Sequence, residues 1–466
     1  MKNVNIINKK IFIVLVSAFF YLCWALGFLT NEKILVENIS LLVVGIAVLL
    51  FLVFTKDINN ILIFILFVPF MFARPLDPMT IPIMIYVACG CLAVGLIIHY
   101  IKNKPKFKCG TLLYGLSFLG LGMICGGINI ASDFLLYQIC IMLFVVGMFL
   151  IVYVYLISTS KKIDFNQIAF LMTILGVYIA LQTITFFISS DDFIKELSQK
   201  SLSVGWGISN NIALMFLVTI PFTFYLFSKS NLKTSIIYFI LLVLQAGTCV
   251  LTHSRGGLLA LVVEVILMLG IYFVRFKKDK VNIKKFIIYS VITLSTASLI
   301  LLLLYKFKYD SFLALIEPLK RLDFGTLNGR VQIYEEALIG MKEHLLFGKG
   351  VLFSMFTVEG EEVMYVWGHS TILQTFSTMG IFGTIGLLYH LFEKYFVLLK
   401  KTNFEKLMIF ISLFGSGLYG LFDVSYYFIN YMVVLVIIFV LCEPYFYNWK
   451  IENFTKKINN EKVLDN

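Results

Sequence analysis

The chain has 466 residues, 60% of them hydrophobic and only 14% charged, with a mean hydropathy of +0.93. A soluble domain of this size does not have that composition. The formal net charge of +11 is therefore read against a membrane and not as a nucleic-acid footprint. The 8 cysteines form no Cys-x-x-Cys pair and mostly lie inside apolar runs. They read as small core residues, and neither a metal site nor a cofactor is expected.

Lys2, Lys9 and Lys10 precede the first apolar stretch, 11–29. No Ala-x-Ala cleavage site follows, so a retained helix is expected rather than a removed signal peptide. Further apolar segments run over 38–55, 60–73, 80–99, 110–128, 134–157, 166–188, 208–227, 234–251, 257–274, 286–305, 370–392, 407–422 and 425–442. Most approach the ~20 residues of a spanning helix, and the third and thirteenth are short, so about 12–14 spans are expected. The fold class is an all-α polytopic membrane protein. With no internal repeat or low-complexity linker, residues 1–466 form one membrane domain.

Charge orients these spans. With both termini in the cytoplasm, the inner segments collect 26 Lys and Arg against 9 Asp and Glu. The outer segments hold 12 Lys and Arg against 17 Asp and Glu, and Glu264 alone lies within a span. Every loop then obeys the positive-inside rule. Two outer loops are long: 189–207, and 306–369, which carries seven basic residues including Lys320, Arg321 and Arg330. Long loops often carry function. After Asn328-Gly329-Arg330, apolar Val331, Tyr334, Leu338, Met341 and Leu345 predict an amphipathic helix on the membrane surface, with Arg330 in its first turn. Phe347-Gly348-Lys349-Gly350 then turns the chain.

Several residues at this face could carry chemistry. Thr252-His253-Ser254-Arg255-Gly256-Gly257 joins two spans. A guanidinium there suits phosphate oxygens, and the glycines expose backbone N–H groups at a helix start. The bland alternative is a polar turn whose Arg255 snorkels. Arg330 and Arg321 could equally be surface charges. Glu264, inside a span, is a functional candidate or a neutral buried acid. His369-Ser370 stands where the long loop re-enters the membrane, followed nine residues later by Gly380-Ile381-Phe382-Gly383. His369 can take a proton near neutral pH, or simply cap a helix. The glycines would let another helix approach closely. Asp423, between the last two spans, could hold a basic residue at the same face. His99, His344 and His390 have no partner that the sequence can name. Arg255, Arg330 and His369 fall on one face by a topology that did not use them. Together they would bind a pyrophosphate and deprotonate a hydroxyl.

Three of these segments resemble a known family. His369-Ser370-x9-Gly380-x-x-Gly383 resembles the His-(Asn/Ser/Gln)-x9-Gly-x-x-Gly motif of the bacterial O-antigen ligase and polymerase family. Ser254-Arg255-Gly256-Gly257 is similar to its Ser-Arg-Gly turn. Arg330-x3-Tyr334-x2-Ala337, with Gly348-x-Gly350 after it, resembles its Arg-x3-Trp-x2-Ala…Pro-x-x-Gly-x-Gly segment. Tyr334 replaces the Trp and the Pro is absent.

The resemblance implies a membrane C-type glycosyltransferase in the cytoplasmic membrane with its site facing outward. Donor and acceptor would be oligosaccharides linked to undecaprenyl pyrophosphate. His369 would be the general base. Arg255 would act with it on the leaving group, and Arg330, Arg321, Ser254 and Ser370 would contact substrate. No metal is implied. A chain-length regulator or a flippase is the kind of partner to expect. The favoured activity is polymerisation of repeat units into capsule, exopolysaccharide or O-antigen. The alternatives are a ligase moving finished glycan to a final acceptor and a lipid-linked oligosaccharide flippase. A flippase would line its spans with charge.

Overall fold

The computed structural model describes residues 10–30, 32–74, 82–110, 112–126, 147, 152–276, 279–309, 313, 330–350, 354–357, 363–366, 368–443 and 445. Its helices are α1 (Lys10–Leu29), α2 (Lys33–Phe54), α3 (Asn59–Phe67), α4 (Met84–Asn103), α5 (Leu113–Gly126), α6 (Tyr153–Thr159), α7 (Phe165–Ile188), α8 (Phe193–Ser198), α9 (Ser209–Lys229), α10 (Leu232–Leu251), α11 (Arg255–Phe276), α12 (Lys280–Phe307), α13 (Arg330–Glu343), α14 (Thr371–Leu399) and α15 (Phe404–Tyr419). A last helix, α16, covers Ile429–Glu443.

Among the described residues 8 helices are long and apolar enough to cross a membrane: α1, α2, α4, α7, α9, α10, α11 and α14. The apolar helices Asn59–Phe70, Leu113–Gly126 and Ile429–Glu443 are shorter. The chain is thus a multi-pass helical membrane protein. Most of the expected span 134–157 lies outside the described residues. Among the described residues the long loop departs from an all-α reading, since β1 (Ser354–Thr357) pairs antiparallel with β2 (Val363–Val366), Ser354 opposite Val366.

α9 is the central helix. It is almost wholly buried and packs on α7, α10, α11 and α15. Its core position follows from its sequence, which is apolar on every side from Ile212 to Phe227. The few polar groups there are shared between helices. Gln245 of α10 is fully buried, and its Nε2 donates to Thr223 Oγ1 of α9 at 3.0 Å and to the Thr173 carbonyl of α7 at 3.3 Å. A polar side chain in hydrocarbon surroundings is stable only when so matched. By contrast Val87, Val94, Ile97 and Ile101 of α4 lie open on the outside of the bundle.

α5 and α14 pack closely, and Gly383 explains why. A Cβ on Gly122 of α5 would come within 2.6 Å of the Gly383 Cα. The close helix approach expected of the Gly-x-x-Gly is therefore made by Gly383. Gly380 does something else: at φ 65 and ψ −162 it breaks α14, which the sequence presents as one continuous helix.

The two ends of the bundle carry different groups. At the end where α9 finishes, Lys229 lies 4.0 Å from Glu405, Arg275 stands over the Phe404 ring, and Lys285 donates to the Ser230 carbonyl at 2.8 Å. The end where α9 begins holds Arg255, Arg330 and His369, described below.

Replacing Gly122 with Leu should overpack the α5–α14 contact and cost about 1–3 kcal/mol. Thermal unfolding in detergent should then show a lower midpoint than wild type. An unchanged midpoint would contradict this packing.

Candidate active site

Four pieces of chain meet at the end of the bundle where α9 begins. The first is the turn 252–257. Thr252 Oγ1 donates to the Cys249 carbonyl at 2.7 Å and accepts from the Ser254 N–H at 3.3 Å. His253 adopts a left-handed backbone, φ 54, uncommon outside glycine. Buried Ser254 accepts from the Gly257 N–H at 3.3 Å and so caps α11. Arg255 is the first residue of that helix. A Cβ on Gly256 would reach 2.9 Å from the Phe422 Cβ, so this turn lies against the turn 420–425.

The second piece is the start of α13. Arg330 Nη1 donates to the Phe422 carbonyl at 2.7 Å. One turn later the Tyr334 hydroxyl donates to the His369 carbonyl at 3.4 Å. Ala337, the next residue of that pattern, is buried.

The third piece is the start of α14. Ser370 is buried and accepts from the Leu373 N–H at 3.5 Å as the helix cap. The Thr371 N–H donates to the Gly420 carbonyl at 2.7 Å, and its hydroxyl accepts from the Ser425 N–H at 3.0 Å. These bonds join the start of α14 to the 420–425 turn. His369 just precedes the cap, again left-handed at φ 43, with its side chain 32% exposed.

The fourth piece, the 420–425 turn, supplies Asp423. Its Oδ1 accepts from the Val424 N–H at 2.8 Å and lies 3.3 Å from His369 Nδ1. Its Oδ2 accepts from the Tyr419 hydroxyl at 3.2 Å and from Asn210 Nδ2. Burial would raise the Asp423 pKa, but the bond and charge of His369, the Val424 N–H and the charge of Arg330 outweigh it and hold the carboxyl below its ordinary value. A carboxylate on Nδ1 fixes the imidazole with a proton on that nitrogen and leaves Nε2 as the basic one. The half-open ring can present Nε2 to a substrate hydroxyl.

Lys200, in the 189–207 loop, adds a third cation. Its side chain is exposed, yet its pKa is lowered, first by loss of water around the ammonium. Asp423 opposes this, and the neighbouring charges of Arg330 and Arg255 add to it. The charges of Arg255, Arg330 and Asp423 thus all reach Lys200, beside a His–Asp pair. Such a cluster repels itself until an anion arrives, which favours binding of a group carrying several negative charges.

The residues expected from sequence therefore separate into groups. Arg255, Arg330 and His369 come together. Ser254 and Ser370 are buried caps of the helices that present them. Arg321 lies outside the described residues. Glu264 is fully buried in α11 against Gly415 of α15, away from this cluster. His390 is buried within α14, and His99 meets the Tyr155 hydroxyl at 2.7 Å. Asp423 holds His369, as a basic residue at this face was expected to be held. Lys200, Asn210 and Tyr419 were not legible as site residues. The one signal for Lys200 was its place in the other long polar loop.

The sequence model of the O-antigen ligase family matches residues 240–388. That stretch contains Arg255, Arg330, His369, Gly380 and Gly383, and it bears out the resemblance read from the motifs. Lys200 and Asp423 lie outside it. No curated protein matches the chain.

The depressed Asp423 pKa sets a pH signature. A lowered folded pKa gives stability that is complete above the ordinary Asp value, about 3.9, and is lost as pH falls through the folded value. The melting-temperature gap between wild type and Asp423→Asn should therefore be widest at neutral pH and close in acid. A gap independent of pH would show that the carboxylate does not make these contacts.

Proposed function

We propose that this protein transfers glycosyl groups from an undecaprenyl-pyrophosphate-linked oligosaccharide, and that it polymerises repeat units of a surface polysaccharide. The observation that carries this is the His369–Asp423 pair beside Arg255, Arg330 and Lys200. The match to the O-antigen ligase family supports lipid-linked glycan as the substrate class. Lysines and arginines gathered at the opposite end support a site facing away from the cytoplasm, with both termini inside. Among the described spanning helices the buried charged residues are few, Glu37, Glu264 and Lys394, which favours an enzyme over a flippase.

The chemistry follows from the groups present. The acceptor hydroxyl donates its proton to His369 Nε2 as its oxygen attacks the anomeric carbon of the donor. The new C–O bond forms as the bond from that carbon to the pyrophosphate oxygen breaks. The electron pair stays on the pyrophosphate, where Arg255 and Arg330 stabilise the developing charge. Asp423 stabilises the imidazolium that results, as a buried carboxylate does behind a histidine base. One displacement inverts the anomeric carbon.

A second reading, ligation of finished glycan to a final acceptor, is favoured by the description of the matched family. It uses the same groups and the same steps.

Purified protein in liposomes, given lipid-linked repeat unit, should release undecaprenyl pyrophosphate. His369→Ala should slow this by about 10²–10⁴-fold, the usual worth of a general base. Arg255→Ala should cost about 10²–10³-fold, as loss of one charge-stabilising donor does. Lys104→Ala, at the opposite end, should turn over as wild type. Loss of activity in Lys104→Ala equal to that in His369→Ala would mean the site is misplaced.

A further inference from the structure

The break in α14 frees backbone groups that a continuous helix would use itself. In the interior of a membrane protein each of these needs another partner. The segment 345–350 supplies them. The Leu345 carbonyl accepts from the Ile381 N–H at 2.9 Å and the Leu346 carbonyl from the Phe382 N–H at 3.2 Å. In return the Lys349 N–H donates to the Ser377 carbonyl at 2.9 Å and the Gly350 N–H to the Thr378 carbonyl at 3.0 Å. This strap seats only because two glycines allow it. A Cβ on Gly380 would collide with the Leu346 backbone, and one on Gly348, at φ 74, with the Thr378–Met379 backbone.

The consequence is that residues 371–379 are not carried by the long membrane-embedded part of α14. They are held by the strap, which continues from α13, and by the bonds of Thr371 to the 420–425 turn. Arg330 begins α13, and Tyr334 binds the His369 carbonyl. A second contact fixes His369 to this half-helix. Gln374 is fully buried, and its Oε1 accepts from the Gly368 N–H at 2.5 Å. Among the described residues its Nε2 has no partner, and the Gly368 N–H is the bond that orients the amide. The residue so pinned immediately precedes His369, whose φ of 43 is strained.

We propose that the strap, Gly380 and Gln374 form a positioning device that acts through His369: the first half of α14 is a separately held carrier that sets the base against Arg330. The proposal rests on the glycosyl-transfer reading above. Gln374 acts on His369 alone. The strap acts on His369 and Arg330 together.

The test uses full-length protein in liposomes and two readouts: turnover of lipid-linked repeat unit, and binding of undecaprenyl pyrophosphate. Gln374→Leu should lower turnover about 100-fold, as small misplacements of a catalytic group do, while undecaprenyl pyrophosphate binds as to wild type. Gln374→Glu, which keeps an acceptor for Gly368, should recover most of the rate. Gly380→Ala should weaken both readouts together. Near-wild-type turnover in Gln374→Leu, a loss that Gln374→Glu does not recover, or equal loss of binding and turnover in Gln374→Leu would each overturn the proposal. Should Gly380→Ala fail to fold, the Gln374 pair still decides. Full activity in His369→Ala would instead remove the reading beneath it.

Discussion

The contact between Asp423 and His369 is the interaction on which the site depends. It joins the start of α14 to the turn between α15 and α16, and the same carboxylate also holds Asn210 of α9 and Tyr419 of α15. A buried carboxylate with four partners is costly to break, because any partner removed leaves charge without compensation. The His369 ring is therefore held through Nδ1. Arg330, bonded to the carbonyl next to Asp423, is placed by the same turn. One anchoring carboxylate thus positions both a base and a cation.

The membrane explains why backbone geometry matters so much here. Left-handed residues flank the site at His253 and His369, and Gly380 interrupts a helix. Each of these would leave unpaired polar groups in an apolar setting. The structure resolves this with caps at Ser254 and Ser370 and with a strap threaded into the break. Irregular backbone in a membrane protein is tolerated where protein covers it, and functional sites are where such irregularity collects.

Hydropathy made the helices legible, since a spanning segment must be apolar over nearly its whole length. Alternation of charge across the loops made it legible that Arg255, Arg330 and His369 share one end. Partners were harder to see. Asp423 and His369 are 54 residues apart, and nothing local in either segment points to the other. Lys200 joins the cluster only because its loop folds back over the bundle end. Ser254 and Ser370 sit beside chemistry-bearing residues, which made them look like substrate contacts, yet each is occupied by a helix N-terminus. Gly380 and Gly383 share a motif but divide its work. Gly383 admits α5 as a close-packing glycine should, whereas Gly380 needs positive φ, a requirement invisible until the strap is seen.

The most direct test is a gel of polysaccharide and lipid-linked intermediates from cells lacking this protein, complemented with wild type or His369→Ala. The account predicts accumulation of a single lipid-linked repeat unit with no ladder, restored to a ladder by wild type and not by His369→Ala. Long polymer stranded on its lipid carrier would instead make the protein a ligase. Repeat units held only on the cytoplasmic side would make it a transporter and contradict the catalytic account.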